Sequence, residues 1–131
     1  MNDEVHVFAG RFSSREEAAK YCQEQWEPEP DASVSDQDYT AWENRNPSWT
    51  LQDDLGVFLD SDFIELVDSA DRYAYLEQLL SDRPLISCIK EKAPPEANAL
   101  LLIFKAALGG FDVQLRSTPR LTYCGSYGCK A

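Results

Sequence analysis

The stretch that decides the fold is Asn98-Ala99-Leu100-Leu101-Leu102-Ile103-Phe104, in which every residue after the asparagine is apolar. A strand with one solvent-exposed face alternates apolar and polar side chains, whereas this run has no polar face. It therefore predicts a central strand that is buried on both faces. Such a strand needs partner strands at its edges and helices over its faces, which the rest of the chain must supply.

Apolar, β-branched or alternating runs predict the partner strands. These runs cover residues 5–8, 55–59, 63–67, 85–89, 111–115 and 121–124. Two main helices are predicted beside them. The first begins at Ser13, three residues before Glu16, in a capping-box pattern and ends near Gln25 or Trp26. The second covers residues 69–81, with a buried stripe of Tyr73, Leu76, Leu79 and Leu80 at helical spacing.

The segment between these elements is polar and acidic. Residues 27–37 indicate a surface loop, and a short helix is predicted from about Ser35 to the break at Asn46-Pro47. One further helical turn is expected at residues 50–54. The predicted fold class is therefore α+β. Residues 1–131 form a single domain, in which a mixed or antiparallel sheet packs against two main helices and carries a helical acidic insertion.

Length and composition agree with one globular domain. The chain has 131 residues, of which 44% are hydrophobic. No apolar run approaches the roughly 20 residues that span a bilayer. The first residues, Met1-Asn2-Asp3-Glu4-Val5, are acidic and do not resemble a secretory signal, so we expect a cytoplasmic protein.

The net charge of −11 is concentrated in one segment, residues 24–65. This segment contains 12 acidic residues and one basic residue, Arg45, whereas the rest of the chain contains 11 of each. Such a field repels nucleic acid and anionic membranes, because both require neutralisation by Lys and Arg. It favours a cationic partner protein and accelerates encounter with one.

All three tryptophans, Trp26, Trp42 and Trp49, lie in the same acidic segment. Tryptophan is a common core residue, but it is also enriched at the centres of protein interfaces. Carboxylates around an aromatic side chain suit the capture of Lys and Arg. The predicted partner-binding residues are Trp26, Glu27, Glu29, Asp36, Asp38, Trp42, Glu43, Asp53, Asp54, Asp60, Asp62 and Glu65.

The stretch Asp60-Ser61-Asp62-Phe63-Ile64-Glu65 has an alternative interpretation, because three close carboxylates can bind a divalent cation or act as acid and base. If residues 62–65 are extended, however, Asp62 and Glu65 point to opposite sides. The simpler interpretation is that Asp60 and Asp62 form turn hydrogen bonds and Glu65 is exposed. A metal-dependent hydrolase using Asp60, Asp62 and Glu65 is thus the alternative to a binding protein.

Other patterns for catalysis or cofactor binding are weak. His6 is the single histidine, and the four cysteines do not have zinc-site spacing. We expect these cysteines to be free and mostly buried thiols. No nucleophile elbow and no phosphate-binding loop is found. The sequence therefore predicts no catalytic residue, no bound metal and no cofactor.

Four stretches in order resemble the bacterial immunity protein 22 family of polymorphic-toxin systems. The most distinctive is the D-x-D-F-I-E pattern at residues 60–65, which ends the second stretch. The four stretches cover residues 5–21, 53–65, 98–104 and 121–127. The resemblance implies an α+β immunity protein that is encoded beside a secreted toxin and stays in the producing cell.

The resemblance also implies that the protein neutralises its cognate toxin. Many such toxins are nucleases, whose active surfaces are basic, and this agrees with the charge argument. The expected mechanism is stoichiometric occlusion through the acidic surface. An adaptor domain for another basic protein is the remaining alternative, and the sequence does not predict the oligomeric state.

Overall fold

The computed structural model describes residues 4–80 and 84–129. Its elements, in chain order, are β1 (Glu4–Gly10), α1 (Arg15–Cys22), α2 (Asp36–Arg45), α3 (Thr50–Leu55), β2 (Ile64–Val67), α4 (Arg72–Leu79), α5 (Leu85–Lys92), β3 (Ala99–Phe104) and β4 (Leu121–Gly128). Short 3-10 turns lie at Ser61–Phe63 and Lys105–Leu108. None of the helices in these ranges is both long and apolar enough to cross a membrane.

The four strands form one sheet in the order β2-β3-β1-β4, and all three pairings are antiparallel. The predicted α+β class is confirmed, with an antiparallel rather than a mixed sheet. In the described ranges the helical part consists of five short α-helices. Helices α1 and α4 are the two predicted main ones, α2 and α3 match the predicted short helix and helical turn, and α5 is additional. Strands β3 and β1 are central, and β2 and β4 are the two edges.

Strand β3 is buried on both faces, as its sequence predicts. Leu101 and Ile103 face one apolar cluster, which includes side chains of α1 and α3. Leu100 and Leu102 face a second cluster, which includes side chains of α4 and α5. The fold therefore has three layers, with the sheet between two groups of helices.

Three predicted strands are wrong. Residues 55–59 do not form a strand, because α3 ends at Leu55 and Gly56 adopts the left-handed conformation of a helix C-terminus. Residues 85–89 lie in α5, where Ile86 and Ile89 are buried at helical spacing. Residues 111–115 carry no strand, although Leu115 packs into the first core cluster.

The predicted helices are correct in place but not in their limits. Helix α1 begins one residue later than expected, because Ser14 is its N-cap and accepts a hydrogen bond from the Glu17 N–H at 3.1 Å. It ends at Cys22, three or four residues before the expected end near Gln25 or Trp26. Helix α4 is shorter than predicted, and the expected end at Ser81 lies outside the described residues. Strand β4 continues beyond Cys124 to Gly128.

Candidate functional site

A short antiparallel bridge, which we call the neck, joins the two ends of the acidic insertion where they leave the domain. Gln25 and Ser48 form an isolated antiparallel bridge with N–H···O distances of 2.8 and 2.9 Å. Trp49, directly after the neck, is 5% exposed, and its indole N–H donates to the Cys22 carbonyl at 3.0 Å. Trp49 therefore fastens the insertion to the core and is not available to a partner. We call residues 25–48 the insertion.

Three aromatic side chains pack together inside the insertion. The Trp42 ring lies 6.2 Å from the Trp26 ring and 5.5 Å from the Tyr39 ring. The Trp42 indole also donates to the Glu27 carbonyl at 3.2 Å. Trp42 is half-buried in this cluster, whereas Trp26 is 60% exposed. Of the three tryptophans, Trp26 is thus the one that offers an open aromatic face.

Glu27 holds the two ends of the insertion together. Its carboxylate accepts from Arg45 Nε at 2.8 Å and from Asn46 Nδ2 at 3.3 Å, and its N–H donates to Asn46 Oδ1 at 2.7 Å. The hydrogen bond from Arg45 is the main reason that the pKa of Glu27 is lowered. Glu27, a predicted partner-binding residue, therefore has an internal role here. Arg45 is the single base of the acidic segment and is used in the same contact.

The other carboxylates of the insertion are exposed. Helix α2 carries Asp36, Asp38 and Glu43, and none of its ten residues is buried. Among the described residues, no basic side chain forms an ion pair with any of these three acids. Glu29 is also exposed and accepts a long hydrogen bond of 3.4 Å from the Tyr39 hydroxyl. Helix α2 thus presents negative charge that the described protein does not neutralise.

Asp53 and Asp54 are neighbours on α3 with different surroundings. Asp53 is exposed, whereas Asp54 is half-buried. The Tyr21 hydroxyl lies 2.6 Å from Asp54 Oδ2 and 2.6 Å from Thr118 Oγ1. Burial and the bond to Asp54 raise the pKa of Tyr21. Asp54 therefore connects α3 to α1, and Asp53 is the acid that faces solvent.

The three carboxylates of the alternative catalytic site are separated. Asp60 caps the 3-10 turn, because its Oδ1 accepts from the Asp62 N–H at 3.1 Å. Glu65 accepts a hydrogen bond from the Tyr75 hydroxyl of α4, which raises the pKa of Tyr75 to about 12. Across the described ranges, no group of three or more His, Cys, Asp or Glu side chains is arranged to hold a metal ion.

The insertion and the Asp60–Asp62 turn meet in a groove of about 320 Å³. Trp26 and Trp49 line one side of this groove, and Ser61 and Ile64 line the other. The predicted residues Trp26, Asp60 and Asp62 are therefore brought to one side of the molecule, although about 35 residues separate them in the chain. Glu65 lies beyond them, against α4.

Two exposed phenylalanines beside the turn were not predicted as site residues. Phe58 is 81% exposed and Phe63 is 44% exposed. Both belong to runs that the sequence assigns to strands, whereas Phe58 lies in a loop and Phe63 in the 3-10 turn. The available signal was Gly56, since a helix-ending glycine places the following residues in a loop.

Comparison with known proteins gives no assignment. No family model matches the chain, and neither a curated protein nor a solved structure matches it. The resemblance to the immunity protein 22 family therefore stays a prediction from the sequence.

Proposed function

We propose that this chain is an immunity protein that binds and neutralises a cognate secreted bacterial toxin with a basic surface. A nuclease is the class of toxin whose surface fits this charge best, because nucleases bind phosphates. The chain would act as a stoichiometric inhibitor in the cytoplasm of the producing cell. The family resemblance supports a toxin as the partner, and the acidic charge supports a basic surface on that partner.

Helix α2 is the observation that carries the proposal. A ten-residue helix without a buried side chain adds little to the core, and isolated helices of this length are marginal in water. Here the neck, the aromatic cluster and the Glu27–Arg45 ion pair hold the helix in place. A segment that is fixed in this way, and that directs its carboxylates Asp36, Asp38 and Glu43 to solvent, is well suited to display charge to a partner.

The exposed aromatic residues beside the charge supply the second component of an interface. Carboxylates steer a basic protein and accelerate association, and they do so less at high salt. Trp26, Phe58 and Phe63 offer apolar area that can be buried on contact and would slow dissociation. The combination favours a binding protein over the hydrolase alternative, since Asp60 and Glu65 have separate partners.

The adaptor alternative predicts the same basic partner but a different gene neighbourhood. The test is co-expression with the product of the adjacent gene, followed by co-purification and a growth-rescue assay. We expect a stable complex and restored growth. A toxic adjacent gene product that neither binds this chain nor loses its toxicity in its presence would contradict the proposal.

Charge variants then locate the surface. Asp36→Lys with Asp38→Lys reverses two unpaired carboxylates of α2, and Glu77→Lys with Glu91→Lys gives the same change in net charge on exposed parts of α4 and α5. We expect the α2 variant to bind the partner at least about tenfold more weakly at low salt, which corresponds to about 1.4 kcal/mol. The α4/α5 control should bind nearly as the wild type does. Equal losses in both variants would show that only net charge matters.

A further inference from the structure

The two edges of the sheet differ in how neighbouring segments cover their backbone groups. At the β4 edge, the Thr118 N–H donates to the Leu121 carbonyl at 2.9 Å, and the Tyr123 N–H donates to Ser117 Oγ at 2.8 Å. Near its end, an isolated bridge joins Leu80 to Cys129. Polar groups of neighbouring segments thus cover this edge, which is how proteins prevent unwanted strand pairing.

The β2 edge has no such cover in the described part of the chain. β2 pairs with β3 alone, and no further hydrogen bond reaches the backbone of Glu65, Leu66 or Val67 from any described residue. An open edge presents unpaired N–H and C=O groups to solvent and is a template for an added strand.

The register identifies the backbone groups that are open. In an antiparallel pair, the backbone groups of two opposite residues point either towards each other or away from each other. The Tyr123 N–H points away from β1, so the backbone groups of its partner Phe8 point away from β4 and towards β3. Phe8 pairs with Leu101, which must then face β1 and not β2. Leu66 is opposite Leu101 on the other side, and its N–H and C=O therefore point outwards from the sheet. Its neighbour Glu65 pairs with Leu102 and directs its groups inwards.

A groove of about 390 Å³ runs beside this edge. Glu65, Leu66 and Val67 form one wall, and Asp71 and Tyr75 of the α4 end form the other. The position between a strand edge and a helix is the geometry in which extended peptides are commonly bound. The groove is therefore adjacent to the outward-facing N–H of Leu66, with which such a peptide can pair.

The charge around the edge indicates what kind of peptide fits. Residues 60–71 contain five acids and no base. Asp68 is paired with Arg15 at 2.9 Å, whereas Asp60, Asp62, Glu65 and Asp71 have no ion pair with any described residue. An extended segment with Lys or Arg at alternate positions would match both the backbone groups and these carboxylates.

We propose that a basic, extended segment of the partner adds to β2 as a fifth strand, in the groove between β2 and α4. This inference rests on the proposed function only for its expectation of a basic partner. It goes beyond that function by assigning recognition to backbone pairing at Leu66, in addition to charge attraction at the insertion. Sequence specificity would then be low along the segment, and its extended conformation would be required.

Amide hydrogen exchange at single residues tests the proposal on the full chain. The probe is a peptide of about ten residues with alternating Lys and Thr, a length typical of a long strand. Two controls accompany it, namely the same peptide N-methylated at every residue, so that both of its edges are blocked, and a peptide with Glu in place of Lys. In the free protein we expect the Leu66 amide to exchange much faster than the Glu65 amide, because only Leu66 faces outwards.

With the Lys-Thr peptide at nine-tenths occupancy, Leu66 exchange should slow by about tenfold, because only the free tenth of the protein exchanges. The N-methylated peptide has the same charge but cannot pair, and should leave Leu66 unchanged, as should the Glu-Thr peptide. Equal slowing by the Lys-Thr and N-methylated peptides would overturn the proposal. A Leu66 amide as protected as Glu65 in the free protein would also overturn it.

The failure of this inference is distinguishable from the failure of the proposed function. Peptide binding that perturbs only the insertion, and is lost in Asp36→Lys with Asp38→Lys, would overturn strand addition while the basic-partner function stands. Slowed exchange at Leu66 that persists in this variant would support strand addition. That result would hold even if the adjacent gene product did not bind.

Discussion

Helix α2 and strand β3 differ most in how far their side chains are buried. In β3 the first five of six side chains are buried, whereas none of the ten residues of α2 is. Removal of a β3 side chain leaves a cavity, and removal of an α2 carboxylate leaves only a change in charge. Stability is therefore concentrated in β3, and α2, where we propose that a partner binds, can be changed with little effect on the fold.

The largest expected contrast is between two tryptophans of the acidic segment. Trp49→Ala should lower the free energy of unfolding by about 3–5 kcal/mol, because it removes a buried indole and its hydrogen bond to Cys22. Trp26→Ala should lower it by about 1 kcal/mol or less, since that side chain is mostly exposed. Urea unfolding measures both, and similar losses would show that the insertion is part of the core.

The next contrast compares β3 with α2 directly. Leu101→Ala, at a fully buried position, should cost about 2–5 kcal/mol of unfolding free energy. Thr40→Ala, at an exposed position of α2, should change it by less than about 0.5 kcal/mol. Urea unfolding of the two variants is again the measurement. A costly Thr40→Ala would mean that α2 makes contacts that stabilise the domain.

At the open sheet edge, the pKa of Tyr75 reports the contact with Glu65. The pKa is raised to about 12 by the hydrogen bond to Glu65 and by burial. Glu65→Gln should return it towards the ordinary value near 10, as followed by ultraviolet absorbance. In the wild type, the folded state holds this proton more tightly, so this contribution to stability falls as pH rises from about 10 to about 12. An unchanged pKa in Glu65→Gln would show that the two side chains do not interact in solution.

The smallest expected effect lies within the insertion. The pKa of Glu27 is lowered, first by the hydrogen bond from Arg45, so its contribution to stability is present above the unfolded-state pKa and is lost as pH falls through the folded-state pKa. Arg45→Gln should raise the pKa of Glu27 towards its ordinary value, while the pKa of Asp68 stays lowered by Arg15. Carboxyl NMR titration follows both groups. A Glu27 pKa that does not respond would show that the Glu27–Arg45 ion pair is absent in solution.

The sequence predicts the centre of the fold better than its periphery. The apolar run at residues 99–104 has no polar side chain, so it predicts a buried environment on every side, and the structure places it as a central strand. Residues 85–89 were predicted as a strand because a short apolar run cannot distinguish a strand from a buried helix. Pro84 before the run and Lys90 and Lys92 at its end were the helix signals.

The two other wrong strands have separate causes. The alternation at residues 111–115 indicates an extended chain but does not supply a partner strand. The apolar residues of 55–59 predict a strand, whereas Gly56 favours the end of a helix. The structure follows the glycine.

Charge points to the acidic segment as the candidate site but does not reveal the internal contacts of that segment. The count of acids cannot distinguish Asp38, which is exposed, from Glu27, which is paired with Arg45. The pairing depends on the fold of the insertion, which brings residues 27 and 45 together. The position of Trp26 and Ser61 on the same groove is likewise a tertiary feature that no local pattern predicts.

We propose that an acidic surface, formed by the insertion and the Asp60–Asp62 turn, binds a basic partner. The variant Asp60→Asn with Asp62→Lys tests this surface, because asparagine keeps the oxygen that accepts the hydrogen bond of the turn and both changes remove negative charge. Calorimetric titration with the purified product of the adjacent gene should give a one-to-one complex in the wild type. We expect a clearly weaker complex in the folded variant, with an affinity that depends less on salt. Equal affinity and equal salt dependence in the two proteins would contradict it.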